Sequence, residues 1–217
     1  IAYDTYVEVC DENTNDLTPK QLELYLKIKD EGLVLKSDIK SSLVPTLLKK
    51  KKIRLVLKEK MRLVLEDVEQ IQDKDLTLEQ RKAVEEITTQ NDKIYLLEGV
   101  TGSGKTEVYI QSSKKIIEEG KTVLMLVPEI SLTVQMVKRF RACFSNVAIL
   151  HGELTPAERY DEYRRISRGE VDLVIGARSA IFAPLTNIGL IIIDEEHSET
   201  YKQDVSPFYH ALEVAKM

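Results

Sequence analysis

From residue 76 onward the chain alternates between two kinds of pattern. Short, nearly continuous apolar runs occupy 93–98, 122–127, 147–150, 172–176 and 190–194. Runs this short and this apolar predict strands buried on both faces, as in a parallel sheet. Between them, apolar residues return at helical spacing. Val108, Tyr109, Ile116 and Ile117 mark one helix, and the capping box Thr155-Pro156-Ala157-Glu158 opens another that runs to Ser167. Alternating β and α predicts an α/β fold with a parallel sheet covered by helices on both faces. Ligands of such folds bind at the carboxyl ends of the strands.

The first third of the chain reads differently. Thr18 and Pro19 start a helix carrying Leu22, Leu24, Tyr25 and Ile28, and Gly32 ends it. Ser37 or Asp38 starts a short second helix. Ser42 leads into a third that turns Leu43, Leu47 and Leu48 inward, and 53–60 reads as a strand. Three short helices followed by a strand is the order of a small winged-helix domain, placed at 17–62. Residues 1–16 read as the tail of a preceding domain or a linker, 63–75 as a linker, and 76–217 as the α/β lobe.

Composition narrows the class. The 217 residues are 43% hydrophobic and 31% charged, without low-complexity segments or an apolar stretch of membrane-span length. This predicts a soluble protein with no membrane partner, and a cytoplasmic location and a monomeric state are separate expectations. Cys10 and Cys143 lie far apart and read as free buried thiols, which suggests neither a cysteine-held metal such as zinc nor a disulfide scaffold in this chain. The chain opens on Ile1-Ala2-Tyr3 without Met, as expected of a piece of something longer. The net charge of −5 conceals a basic block, with ten Lys and Arg from Lys36 to Arg62 opposed only by Asp38 and Glu59. Within it, Lys49, Lys50, Lys51 and Lys52 are candidate DNA-phosphate contacts, and a solvated face is the competing reading.

The decisive motif is Gly99-Val100-Thr101-Gly102-Ser103-Gly104-Lys105-Thr106, between an apolar run and a helical one. It fits the phosphate loop of NTP-binding proteins. Gly99, Gly102 and Gly104, with Thr101 and Ser103, let backbone N–H groups close around phosphate oxygens. Lys105 reaches the β- and γ-phosphates, and Thr106 offers its hydroxyl to Mg²⁺. Downstream, the apolar run 190–193 leads into Asp194-Glu195-Glu196-His197. Asp194 is placed to hold Mg²⁺ through its water shell, and Glu195 to orient and deprotonate the attacking water. ATP and Mg²⁺ are the implied cofactors.

Other segments end strands at the same edge. Pro128-Glu129 precedes Ser131 and Thr133, which either contact a phosphate or cap a helix. Arg178-Ser179 follows the run 172–176 and carries the same two readings. Tyr201, Lys202, Phe208 and Tyr209 form an aromatic, partly basic stretch that either stacks on single-stranded bases or packs inward.

These strings together resemble the PriA-type primosomal replication-restart DNA helicases of superfamily 2. The resemblance is carried by Asp194-Glu195-Glu196-His197 with Tyr201-Lys202-Gln203, by Leu76-Thr77-Leu78-Glu79-Gln80, by 126–133, by His151-Gly152 with Leu154-Thr155 and Glu158-Arg159, and by 175–185. It covers 76–217 strongly and the winged-helix region in kind and position. It implies that the lobe is RecA-like, that Gln80 reads the adenine edge, and that His197 couples nucleotide to DNA. It further implies an aromatic loop reporting DNA occupancy to the ATP site. The implied activity is ATP-dependent 3′-to-5′ movement on DNA in primosome assembly and restart of stalled forks. The implied partners are forked and single-stranded DNA, a replicative-helicase loader and a single-strand-binding protein. A second lobe with an arginine finger and a zinc-binding insertion is expected beyond Met217, so this chain alone is expected to bind ATP and hydrolyse little. Another superfamily 2 DNA translocase, or a nucleotide-gated DNA-binding module without motor activity, are the alternatives.

Overall fold

The computed structural model describes residues 2–60, 75–89, 93–100 and 102–217, in two compact units, 1–62 and 63–217. The small unit is built on an antiparallel sheet of order β2-β1-β3, formed by Leu33–Leu35, Tyr3–Val9 and Ile53–Glu59. α1 (Pro19–Glu31) and the short α2 (Val44–Lys49) pack on it through Ile28, Val44 and Leu47, against Val7 and Ile53. At the start of α1 the Thr18 backbone N–H donates to Gln21 Oε1 at 3.2 Å, satisfying a donor that has no helical partner.

Two sequence expectations change here. Residues 1–16, set apart as a tail or linker, contain β1, which is the central strand of the small sheet. Its partners lie 25–29 positions away in β2 and 44–56 away in β3, which no local pattern encodes. The second helix expected from Ser37 or Asp38 is a single 3₁₀ turn, Lys36–Asp38, directly after β2. Most of the linker expected at 63–75 lies outside the described residues.

The large unit is an α/β fold with a four-stranded parallel sheet of order β5-β6-β4-β7. Its strands are β4 (Thr122–Leu126), β5 (Val147–Leu150), β6 (Leu173–Gly176) and β7 (Ile188–Ile193). α3 (Leu78–Thr89), α4 (Lys105–Glu118), α5 (Val134–Arg141) and α6 (Pro156–Ser167) are its longer helices. Period-two alternation splits the core between the two sheet faces. Val123, Met125 and Val127 join Ile110 and Ile116 of α4 and Phe140 of α5 on one face. Leu124 and Leu126 join Ile166 of α6, Ala180 and Tyr201 on the other. Edge strand β5 is met by a side chain: the Ile149 N–H donates at 3.3 Å to Glu162, which is 1% exposed and paired with Arg165 at 2.9 Å.

The run 93–98 is a further correction. It is not a strand, and Ile94 and Leu96 are 80% and 70% exposed. A strand exists only with a hydrogen-bonded neighbour, and among the described residues β7 remains the edge of the sheet. Apolar content alone specified the element wrongly. The other four runs form strands within two residues of their expected bounds.

Candidate nucleotide and nucleic-acid site

The loop from Gly99 ends at Gly104, which caps the N-terminus of α4 with φ +84°. Gly102 stands at φ +81° with open space where a Cβ would be, whereas a Cβ on Gly104 would run into Gln80 Nε2. The left-handed φ therefore favours glycine at 104, where an added Cβ would also displace the Gln80 amide. Lys105 Nζ donates to the Gly99 carbonyl at 2.7 Å, so the ammonium lies across the loop it belongs to. The Gln80 amide is engaged at both ends. Its Oε1 accepts from the Thr77 N–H at 3.0 Å, and its Nε2 donates to the Ser103 carbonyl at 3.1 Å. The helix carrying Gln80 is thereby tied to the phosphate loop. Thr101 lies outside the described residues. Thr106 sits in the first turn of α4, where N–H groups lack helical partners and the helix dipole favours an anion.

Asp194 follows β7 directly, and its N–H continues the parallel ladder to Leu126 at 2.9 Å. Two tyrosines hold it. Tyr109, from α4, donates its hydroxyl to Asp194 Oδ1 at 3.0 Å, and Tyr201 donates to the Asp194 carbonyl at 2.6 Å. Burial, reinforced by the Asp194 charge, pushes both phenol pKa values up, so each hydroxyl stays a donor through the neutral range. Glu195 is exposed and held at φ +48°, a left-handed conformation unfavourable for a residue with a Cβ. His197 lies between carboxylates, with Nε2 3.6 Å from Glu195 and Nδ1 3.9 Å from Glu196.

This donor set fits Mg²⁺ bound together with a nucleotide. Thr106 and Asp194 offer hard oxygens, and among the described residues no group of three or more His, Cys, Asp or Glu gathers into a cage. An ion that keeps several waters and takes phosphate oxygens needs only one or two protein groups.

The neighbouring strand ends carry the remaining residues. Ser131 ends a 3₁₀ turn, Glu129–Ser131, and Thr133 caps α5 by accepting from the Met136 N–H at 3.2 Å. The Arg178 guanidinium donates to the carbonyls of Thr200 (3.2 Å) and Lys202 and stands 6.0 Å from the Tyr209 ring. In this structure Arg178 thus braces the aromatic loop. Tyr201 is fully buried, so the expectation that it meets DNA is corrected: its ring packs in the core and its hydroxyl serves Asp194. Lys202 is exposed and Phe208 is 75% exposed. Tyr209 is part of a two-stranded ribbon, β8 (Lys202–Gln203) with β9 (Tyr209–His210), and packs edge-on against Phe182 at 4.9 Å. A cleft of about 530 Å³ lies here, lined by Glu129, Gly152, Arg178, Ser179, Phe182 and Tyr209 among others.

In the small unit the four lysines separate. Lys52 is 5% exposed and paired with Asp11 at 2.7 Å and Asp16 at 3.1 Å, so its ammonium is a structural cation and not a DNA contact. Lys50 donates to Gln21 Oε1 at 3.0 Å and to the Asp16 carbonyl. Lys49 and Lys51 are exposed. The Cys10 thiol, expected to be buried, is exposed and donates to the Lys51 carbonyl at 3.1 Å.

A family model described as DEAD/DEAH box helicase matches residues 77–213, which span the phosphate loop, the Asp194 turn and the aromatic loop. The chain belongs to that family. Helicase domains of this family use ATP and Mg²⁺ in general. It is similar to the replication restart protein PriA of Bacillus subtilis (strain 168), 50% identical over 197 residues, covering 88% of this chain and 24% of that protein. The PriA of Chlamydia muridarum is 41% identical over 214 residues (95% of this chain, 27% of the relative). That of Synechocystis is 54% identical over 123 residues, 56% of this chain and 15% of the relative. The chain spans about a quarter of the length of the first two of these relatives. Among the described residues, no helix of this helicase chain is long and apolar enough to cross a membrane.

In the sequence of this helicase lobe, Tyr109 served only as one of the residues marking helical spacing. Its position four residues after Lys105, on the same face of α4, was the available signal. Glu107 and Arg139, a pair at 2.8 Å joining α4 to α5, carry no sequence signal, because their separation in the chain is set by topology.

Proposed function

We propose that the full-length protein is an ATP-driven DNA helicase that moves 3′ to 5′ and acts in primosome assembly and the restart of stalled forks. The observation that carries this reading is the Tyr109–Asp194 hydrogen bond of 3.0 Å, which brings the phosphate-loop helix and the acidic strand end together. Similarity to replication restart proteins supports the fork-restart assignment.

In this reading Gly99, Thr101, Gly102, Ser103 and Gly104 wrap the phosphates, and Gln80 stands at the adenine side of the loop. Thr106 and Asp194 would hold Mg²⁺, which neutralises phosphate charge when bound. Lys105 leaves the Gly99 carbonyl for the β- and γ-phosphates. Glu195 takes the proton of the attacking water, and His197, against both glutamates, relays the nucleotide state. Hydrolysis by in-line displacement needs such positioning more than covalent help.

DNA runs along the cleft. Ser131, Thr133 and Ser179 offer hydroxyls to one strand's backbone, and Phe208 and Tyr209 offer ring faces to its bases. Lys202 adds charge, and Arg178 reaches phosphate by releasing the loop carbonyls. The small unit, residues 1–62 with β1 at its centre, acts as a winged-helix DNA-binding domain through Lys49 and Lys51. A loader of the replicative helicase and a single-strand-binding protein are the protein partners. Zinc belongs to the C-terminal half of the longer protein, and the 217-residue chain alone binds ATP and hydrolyses little.

The test is ATP hydrolysis by the full-length protein with and without forked DNA, beside its Glu195→Gln variant. DNA stimulation that vanishes in the variant supports the motor. DNA binding with turnover at background would make the phosphate loop a sensor and end the helicase reading.

A further inference from the structure

The phosphate-binding motif does not call for a tyrosine one turn into its helix, yet Tyr109 stands there and reaches the acid. Its neighbours Val108 and Ile110 are buried, and its own ring packs against the core cluster of the sheet. The ring is therefore fixed by α4, and the hydroxyl arrives at Asp194 Oδ1 from a rigid support at 3.0 Å. Tyr201 holds the same residue's carbonyl at 2.6 Å. Main chain and side chain of Asp194 are thus pinned from two different elements.

We propose that Tyr109 is a positioning residue for the metal-bearing carboxylate. Its hydroxyl holds Asp194 in the rotamer that faces α4, whose first turn carries Thr106, so that Mg²⁺ arriving with a nucleotide meets an oxygen donor already in place. This rests on the nucleotide reading above. The physical ground is that Mg²⁺ tolerates little departure from octahedral geometry and keeps much of its water. A carboxylate free to rotate must be ordered when the ion binds, whereas one anchored by a hydrogen bond is ordered beforehand. Hydrogen-bond partners of metal-holding groups typically carry 10–100-fold in metal affinity. A carboxylate acting through the ion's water shell belongs at the lower end, about tenfold.

The hydroxyl's influence is confined to the metal-loaded state, which separates it from packing. In this chain, a fluorescent ATP analogue is titrated in excess EDTA and in saturating Mg²⁺, for wild type, Tyr109→Phe, Asp194→Asn and the double variant. Tyr109→Phe is expected to leave the EDTA affinity within about twofold of wild type and to lose about tenfold of the Mg²⁺-dependent gain. In the Asp194→Asn background the same change is expected to do nothing further. Equal weakening with and without Mg²⁺, or an undiminished Mg²⁺-dependent gain, overturns the proposal while the nucleotide reading survives. No Mg²⁺-dependent gain in wild type overturns both.

Discussion

Arg139 Nη2 lies 2.8 Å from Glu107 Oε2, so one ion pair joins the helix behind the phosphate loop to the helix capped by Thr133. Glu107 is 7% exposed and also accepts from Gln111 at 3.3 Å. Arg139→Ala leaves that carboxylate without its cation. The arginine is 38% exposed, so the expected loss is about 1–2 kcal/mol, below the range for a fully buried pair. Urea unfolding measures it, and Arg139→Lys is expected to recover part of the loss.

Gly104→Ala combines a left-handed φ with a clash against the Gln80 amide. It is expected to cost about 1–2 kcal/mol in stability and to remove nucleotide binding. Pairing it with Gln80→Ala relieves the clash and leaves the φ penalty. Fluorescence titration with an ATP analogue and thermal melts of both variants separate the two contributions.

The Lys52 cluster gives a pH dependence with a definite sign. Its hydrogen bonds hold the Asp11 and Asp16 carboxyls below their ordinary value of 3.8. The same bond to Asp11, with help from Asp16, raises the Lys52 ammonium above 10.5. The acids contribute stability above their unfolded pKa, and that contribution is lost as pH falls through their depressed folded values. The lysine's contribution is complete below 10.5 and is lost as pH rises through its folded value. The difference in melting temperature between wild type and Lys52→Met is therefore expected to be flat from about pH 5 to 9 and to shrink on both sides. A difference that changes steadily through neutrality would contradict it.

How much of this was legible beforehand divides along physical lines. The glycines of the phosphate loop, the capping box at Thr155 and the apolar strands at 122–127, 147–150, 172–176 and 190–194 are local requirements, and local patterns report them. Strand pairing is not local. The run 93–98 had the composition of a strand without the partner, and β1 had a partner without standing out in composition. Charge was misleading for a related reason. Four adjacent lysines look equivalent in sequence, but the fold turns Lys52 inward against Asp11 and Asp16 and leaves Lys49 and Lys51 outside.

That separation is measurable. Lys49→Glu with Lys51→Glu is expected to weaken DNA binding across sequences and to lower the slope of log affinity against log salt by about 1.5–2. Melting temperature should stay near wild type, since both side chains are exposed. An unchanged slope would return them to the role of solvated charges.

The aromatic loop divides in the same manner. Phe208, 75% exposed, is expected to lose about tenfold or more in oligothymidylate affinity when changed to Ala, at the 1–3 kcal/mol of one base stack, with stability unchanged. Tyr201→Ala is expected to destabilise the lobe by about 3–5 kcal/mol, because it empties a fully buried ring site. Equilibrium binding and chemical unfolding of both variants test the contrast.

The backbone at Glu195 bears on how this chain would respond to selection. At φ +48° a side chain is disfavoured by about 1–2 kcal/mol, so glycine there would make the molecule more stable. A library screened for heat resistance alone should drift toward that replacement, while, with Glu195 as the proposed base, one screened for turnover should refuse it. Position 195 is where the two pressures part.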